Sequence, residues 1–352
     1  MRRTILATAA ILAAMLPTPG GVAWTQQELA ATGEMGFAGF VQGLRARALT
    51  AGVSAPTFDS VAPTLSFNPR VVELDRAQPG GNPNGPAAAI PRFAPYRVAH
   101  VDAGKIAKGR LRYASLRPKL AAIEARTGVP ESVMLGIYGQ ETGYGSFTGD
   151  FDLLRSFASL AYDGRRRELF TDEFIATLKL IDRGVPREKL KGSWAGATGY
   201  PQFLPSMYLR LGIDGDGDGR ADIWASEADA LASIGNYLVN AGWKANVPWG
   251  ITANVPGALD RAAITPLTVS PRCPRVHARL SRWLTLAEWR RLGVTPTGSR
   301  VPRDMELAAL LEPDGPGATA YLLTGNYRAI LDYNCSNFYA LSVGLLADEV
   351  SR

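Results

Sequence analysis

Histidine and cysteine are nearly missing from this chain, with two of each in 352 residues. His100 and His277 stand far apart in sequence, which argues against Ser-His-Asp and Cys-His machines, and no G-x-S-x-G turn is present. Cys273 and Cys335 are too few for a structural zinc site, which needs about four Cys or His ligands close together. They are compatible with one disulfide in an oxidising compartment. Phosphate-loop and dinucleotide fingerprints are absent. Basic residues are scattered, without the clustered stripe and interleaved aromatics of a nucleic-acid surface. Past the N-terminus no apolar run is long enough to span a bilayer.

What is there is ordinary globular composition, 46% apolar and 20% charged, in a chain long enough for two or three packed lobes. Residues 1–23 read as a secretory signal peptide: Arg2 and Arg3, an apolar run from Ile5 to Leu16, then small residues and a cut after Ala23. Its removal takes the formal charge from +6 to +4, since those two arginines are its only charges. The mature protein is expected to be exported to the periplasm, without a membrane anchor.

Helical spacing recurs along the chain. Phe37, Phe40, Val41, Leu44 and Ala48 make one amphipathic helix stopped by Gly52, and Val71–Leu74 is a short apolar piece of open type. Five prolines and several glycines over residues 79–95 read as a linker or loop. Further helices run through Leu116, Leu120 and Ile123, through Phe174, Leu178 and Ile181, through Leu231, Ile234 and Leu238, and through Phe338, Leu341 and Leu345. Strand signals are few and short. The expected fold is mainly α with little strand, divided as an N-terminal helical lobe and linker (24–95), a core (96–250) and a C-terminal lobe (251–352).

The stretch from Gly136 to Gly149, G-I-Y-G-Q-E-T-G-Y-G-S-F-T-G, carries the strongest candidate for chemistry. Pro130 and Glu131 mark a helix start and Gly143 its stop. Met134, Ile137 and Tyr138 set an apolar stripe on which Glu141 falls in the last turn. Apolar walls and the negative helix end both raise a carboxyl pKa, and a glutamic acid protonated near neutral pH can serve as a general acid. The competing reading is a core glutamate paired to Arg165, Arg166 or Arg167.

Two other patterns point to ligands. Asp214, Asp216, Asp218 and Asp222 alternate with glycines, and with the Arg220 carbonyl they match the first part of an EF-hand calcium loop. Ala225 replaces the usual closing glutamate, so Glu227 or Asp229 is left to close the shell. Four acids in nine residues repel one another without a cation, which favours a structural divalent ion over a solvated acidic turn. The segment from Lys191 to Ser206 sets Ser193, Gln202 and Phe203 among glycines and aromatics, a mixture suited to a sugar's apolar faces and hydroxyl edges. Tyr333-Asn334-Cys335-Ser336-Asn337-Phe338-Tyr339 begins the last helix, with Ser336 or Asn337 as cap.

With G-Q-E-T-G-Y-G, G-R-R-R-E-L-F, G-S-W-A-G-A-T-G-Y-P-Q-F-L-P-S, the D-G-D-G-D-G loop and L-D-Y-N-C-S-N-F-Y-A in this order, the chain resembles the lytic murein transglycosylases of the membrane-bound B type, glycoside hydrolase family 103. The resemblance runs from about Phe37 to the C-terminus. It implies a lysozyme-like helical core that cuts peptidoglycan strands between N-acetylmuramic acid and N-acetylglucosamine, with no catalytic cofactor and with Glu141 as sole acid and base. It places Arg165, Arg166, Ser193, Gln202, Phe203, Tyr237, Tyr333, Asn334 and Tyr339 on the cleft, and the acidic loop, 214–229, on the family's calcium site. The alternatives are a hydrolytic muramidase in which Asp150 or Asp152 aids a water, and a calcium-stabilised glycan-binding protein without catalysis.

Overall fold

The computed structural model describes residues 36–78, 91–268 and 270–352; the expected signal peptide and most of the expected linker lie outside the described residues. The fold is mainly α, as expected. Helix α1 (36–43) and α2 (Arg45–Thr50) follow one another with a break at Leu44, and α3 (Ala55–Val61) and α4 (Pro69–Arg76) come next. The piece at Val71–Leu74 is therefore helical, started by the Asn68 side chain, which accepts the Arg70 N–H. The loop expected over 79–95 ends early, because α5 (Phe93–His100) begins inside it. Pro95 sits in the first turn of α5, where the missing N–H has no helical acceptor to lose. The Phe93 and Ala94 N–H groups donate to Asp314 instead.

Helix α6 (Ala103–Thr127) leads through Gly128 to α7 (Glu131–Thr142), the Glu141 helix. Every residue of α7 from Glu131 to Tyr138, and Gly139, is buried, so α7 is a central helix and not an amphipathic surface one. It packs most extensively on α15 (Asn337–Val350). That approach needs Gly136: a β-carbon there would stand 2.7 Å from the Val343 carbonyl of α15. Gly143 ends α7 with φ +56°, a left-handed cap.

Two helices follow the Glu141 turn, α8 (Leu153–Asp163) and α9 (Arg167–Asp182). The segment holding Asp150 and Asp152 is thus a helix entrance, with Asp152 accepting the Arg155 N–H as cap. Short strands β1 (Phe151–Asp152) and β2 (Lys191–Gly192) pair antiparallel across it. Phe157, Phe170 and Phe174 close over Phe37, Phe58 and Val71 from the N-terminal helices in a core of their own. The N-terminal helices therefore rest on α8 and α9 and share their core. Helix α10 (Pro205–Leu211) and α11 (Glu227–Asn240) complete the part around α7.

Beyond residue 250 the structure departs furthest from expectation, with five short strands in antiparallel order β4-β6-β7-β3-β5. These are β3 (Gly250–Asn254), β4 (Leu284–Thr285), β5 (Thr295–Pro296), β6 (Leu307–Leu311) and β7 (Ala320–Leu323). Ala309, Leu311, Tyr321 and Leu323 face the α7–α15 core, while Ala308, Leu310, Ala320 and Leu322 face a second cluster around Trp289. Burial on both faces removes the polar alternation by which a strand is usually read. Short α12 (Pro274–His277) and α13 (Leu286–Arg291) flank the sheet, and α14 (Gly325–Tyr333) returns the chain to the centre.

Candidate active site

Glu141 sits in the last turn of α7, half-buried. Tyr339, in the first turn of α15, donates its hydroxyl to Glu141 Oε1 at 2.6 Å. Among the described residues this is the only hydrogen-bond partner of the carboxylate. Burial drives its pKa up to about 7, and the Tyr339 bond pulls the other way. The negative helix end contributes less than the sequence suggested, because Lys108 Nζ donates to the Gly143 carbonyl at 2.7 Å.

None of the three candidate arginines meets Glu141. Arg165 and Arg166 both close on Asp75 of α4, which is 1% exposed, and the Arg167 guanidinium lies 5.4 Å from the Phe40 ring centre. The paired-core reading of Glu141 therefore fails. Asp152 is committed as well, to the start of α8 and to Arg187 at 3.3 Å.

A wall of aromatics is assembled from distant segments. Phe203, Tyr237 and Tyr333 form a triangle, with Tyr237 and Tyr333 ring centres 4.6 Å apart. Tyr333 donates to the Pro201 carbonyl, and Tyr237 donates to the Asp332 carbonyl at 2.7 Å. Burial, and next the Glu141 charge, hold the Tyr333 and Tyr339 hydroxyls well above the ordinary tyrosine range. Gln202 adopts φ +52° and donates to the Thr148 and Gly199 carbonyls, tying its loop to the turn that follows Glu141. Ser193 closes the same loop from the other side, its Oγ accepting the Ala197 N–H. Asn334 is an exposed residue at the end of α14.

The sequence reading missed Tyr96. Its ring stacks on His100 at 3.7 Å, and burial, with a smaller part from the Glu141 charge, pushes its hydroxyl up. Phe93, Tyr96 and His100 recur at helical spacing, a signal overridden by the prolines around them.

In the acidic loop, carboxylate oxygens of Asp214, Asp216 and Asp229 lie within 4.8 Å of one another. Asp229, on α11, is the residue that closes this group, while Glu227 instead accepts the Tyr138 hydroxyl at 2.8 Å. Asp218 accepts the Arg220 N–H, and Asp222 pairs with Lys189 at 2.6 Å while capping the Trp224 turn. Three converging acids, one of them wholly buried, suit a hard divalent cation. Cys273 and Cys335 are joined, with Cα atoms 5.6 Å apart.

A model of the Transglycosylase SLT domain matches residues 36–348. The chain belongs to this transglycosylase family. Membrane-bound lytic murein transglycosylase B of Escherichia coli (strain K12) is 29% identical over 297 residues, covering 83% of this chain and 72% of that protein. SltB3 from Pseudomonas aeruginosa, solved in complex with NAG-anhNAM-pentapeptide, is 37% identical with a TM-score of 0.78, covering 90% of this chain and 79% of the other. The Escherichia coli lytic transglycosylase SLT35, solved in complex with calcium, is 25% identical with a TM-score of 0.70, covering 90% and 93%.

Proposed function

We propose that Glu141, working alone, is first the acid and then the base of the reaction. The chain is a lytic transglycosylase of peptidoglycan, and the family's enzymes act on the cell wall. What supports a single-residue mechanism is the environment of Glu141: a carboxyl with pKa about 7, without a cation partner among the described residues, holding one oxygen on Tyr339. Protonated, it gives its proton to the glycosidic oxygen as the bond from C1 of N-acetylmuramic acid breaks. The sugar's acetamido oxygen covers the positive charge at C1. The Glu141 carboxylate then takes the proton of the C6 hydroxyl as that oxygen attacks C1, leaving a 1,6-anhydro ring. No second protein carboxylate is required, in contrast to most glycosidases.

In this reading the packed Phe203–Tyr237–Tyr333 triangle backs the sugar site, and Gln202, Ser193 and Asn334 supply hydroxyl partners. Arg165 and Arg166, one-third exposed at 32% and 36%, stand as a cationic corner set by Asp75. Mass spectrometry of digested peptidoglycan tests the mechanism. Muramic ends lighter by one water are expected, and reducing muramic ends in their place would mean that water attacks, as in a muramidase.

Tyr339→Phe removes the bond that favours the charged form of Glu141, so its pKa rises above about 7. Activity that needs the protonated acid falls as pH rises through that value. The alkaline limb of the pH–rate profile is therefore expected to move to higher pH in the variant, together with a lower rate from looser positioning. A limb that stays in place would separate Tyr339 from Glu141.

We further propose that Asp214, Asp216 and Asp229 hold a structural calcium ion, which ties the loop to α11 and takes no part in the chemistry. Binding to the folded state alone raises stability by mass action. A chelator is expected to lower the melting temperature of the wild type and to do nothing to Asp216→Ala. Equal melting with and without chelator would remove the ion from the account. The described residues hold no helix long and apolar enough to cross a membrane. A joined cysteine pair fits an oxidising compartment, and with the leader read from residues 1–23 we place the enzyme in the periplasm.

A further inference from the structure

The turn that follows Glu141 runs against ordinary backbone preference. Gly143, Tyr144 and Gly145 all have positive φ, at +56°, +59° and +77°. Glycine takes this region freely but tyrosine rarely does, so such a run is held only by support from its surroundings. Helix α6 gives that support. At Gly109 it comes so near that a β-carbon would stand 2.2 Å from the Tyr144 hydroxyl. Lys108 donates from Nζ to the Gly143 carbonyl at 2.7 Å and also to the Ser146 hydroxyl. Ser146 Oγ donates to the same carbonyl at 2.8 Å. On the other side of Glu141, Lys105 donates to Gln140 Oε1 at 3.1 Å, and Gln140 Nε2 donates to the His100 carbonyl at 2.9 Å. Two lysines of α6 thus grip the chain before and after Glu141.

The charges on the neighbouring elements leave Lys108 as the cation that acts here. Among the described residues Arg110 and Arg112 of α6 meet Glu349 and Glu227, while Lys105 and Lys108 form no ion pair. Burial lowers the Lys105 pKa, and Asp102, the α6 cap, partly offsets that. Three tyrosines feel the Glu141 charge: Tyr96 on α5, Tyr333 on α14 and Tyr339 on α15, all kept uncharged by burial. Burial does the same for Tyr144 in the turn. His100 stacks on Tyr96, with Nδ1 2.9 Å from the Tyr96 carbonyl. On α11, Glu227 is taken by Tyr138 and Arg112, and Asp348 and Glu349 sit at the far end of α15. Asp150, past the turn, is exposed.

We propose that Lys108 is a positioning residue for the transglycosylase reaction, fixing the turn that carries Glu141 and setting one positive charge at the end of α7. This rests on the reading of Glu141 as the acid and base. Lys108 acts through the Gly143 carbonyl and the Ser146 hydroxyl, not on the sugar. A cation at a helix C-terminus offsets the negative pole there and so favours a carboxylate in the last turn. That matters in the second step, when charged Glu141 takes the C6 hydroxyl proton. The same bond keeps the left-handed turn from relaxing, which would swing Glu141 away from the glycosidic oxygen.

Carbon NMR of the full chain, labelled at glutamate carboxyls, tests this alongside kinetics on soluble glycan fragments; the Glu141 signal is the one lost in Glu141→Gln. In Lys108→Met the Glu141 pKa is expected to rise by about half a pH unit, and the alkaline limb of the pH–rate profile should move up with it. The kcat should fall about tenfold with KM near the wild-type value, because Lys108 positions the acid without holding substrate. Lys108→Arg should restore both. Ser146→Ala leaves the charge and the Gly143 bond in place, so it should keep the wild-type titration and lose rate alone. Lys108→Gln removes the charge behind a polar end and should show the same pKa rise, which covers a methionine variant that does not fold. An unchanged titration in the uncharged variants, a loss confined to KM, or an arginine variant as poor as methionine would each overturn the proposal. Lower melting with a wild-type titration would do so too, leaving Lys108 a purely structural role. The titration reads the carboxyl without turnover, so its outcome is distinct from that of the Glu141 mechanism.

Discussion

Glu141→Gln is expected to release almost nothing from peptidoglycan while still folding and still binding it. The amide keeps the shape and can still accept from Tyr339, but it cannot donate or recover the catalytic proton. Loss of an acid–base group costs on the order of 10²–10⁴-fold in rate, and more where one residue serves both steps. Stability supplies an internal control. The pKa of Glu141 rises from 4.5 to about 7 because burial disfavours its charge. Stability present below pH 4.5 is therefore lost as pH rises towards about 7 in the wild type, and the glutamine variant has no such loss from this site. Above neutral pH the variant should melt higher than the wild type. A folded glutamine variant with full activity would sink the mechanism.

Removing the disulfide is the change with the largest expected effect on stability. Cys273 and Cys335 are 62 residues apart in sequence, and closing a loop of that length is worth about 4 kcal/mol in the chain-entropy model. Cys273→Ala/Cys335→Ala should therefore melt lower by roughly 8 °C. The bond lies next to Tyr333 and Asn334, so KM should rise too. Arg272 beside it holds Asp332 at 2.7 Å and limits the displacement, because Asp332 also receives Tyr237. Two free thiols in unreduced exported protein, or unchanged melting, would contradict this.

Glu141 was legible because a carboxylate at helical spacing among apolar residues, just before Gly143, is a local pattern. Its pKa was legible in direction only, since the walls that desolvate it come from α5, α14 and α15. The acidic loop was legible up to Asp222. Which acid closes it depended on how α11 packs, and that turned Asp229 in and sent Glu227 to Tyr138. Helix α8, absent from the helices expected above, is written locally in Leu153, Phe157 and Leu160 with Asp152 as cap.

The sequence by itself determined the helical character, the glycine-bounded Glu141 turn, the candidate cation loop and the family resemblance, because each is written in spacing over a few residues. Only the tertiary structure decided that Tyr96, Tyr339 and the Phe203–Tyr237–Tyr333 triangle belong near one carboxylate, and that Arg165 and Arg166 serve Asp75. It alone revealed the five-stranded sheet, whose two buried faces erase the alternation a strand would show. Packing brings together residues far apart in the chain, 198 positions in the Tyr339–Glu141 bond, and no local period carries that information.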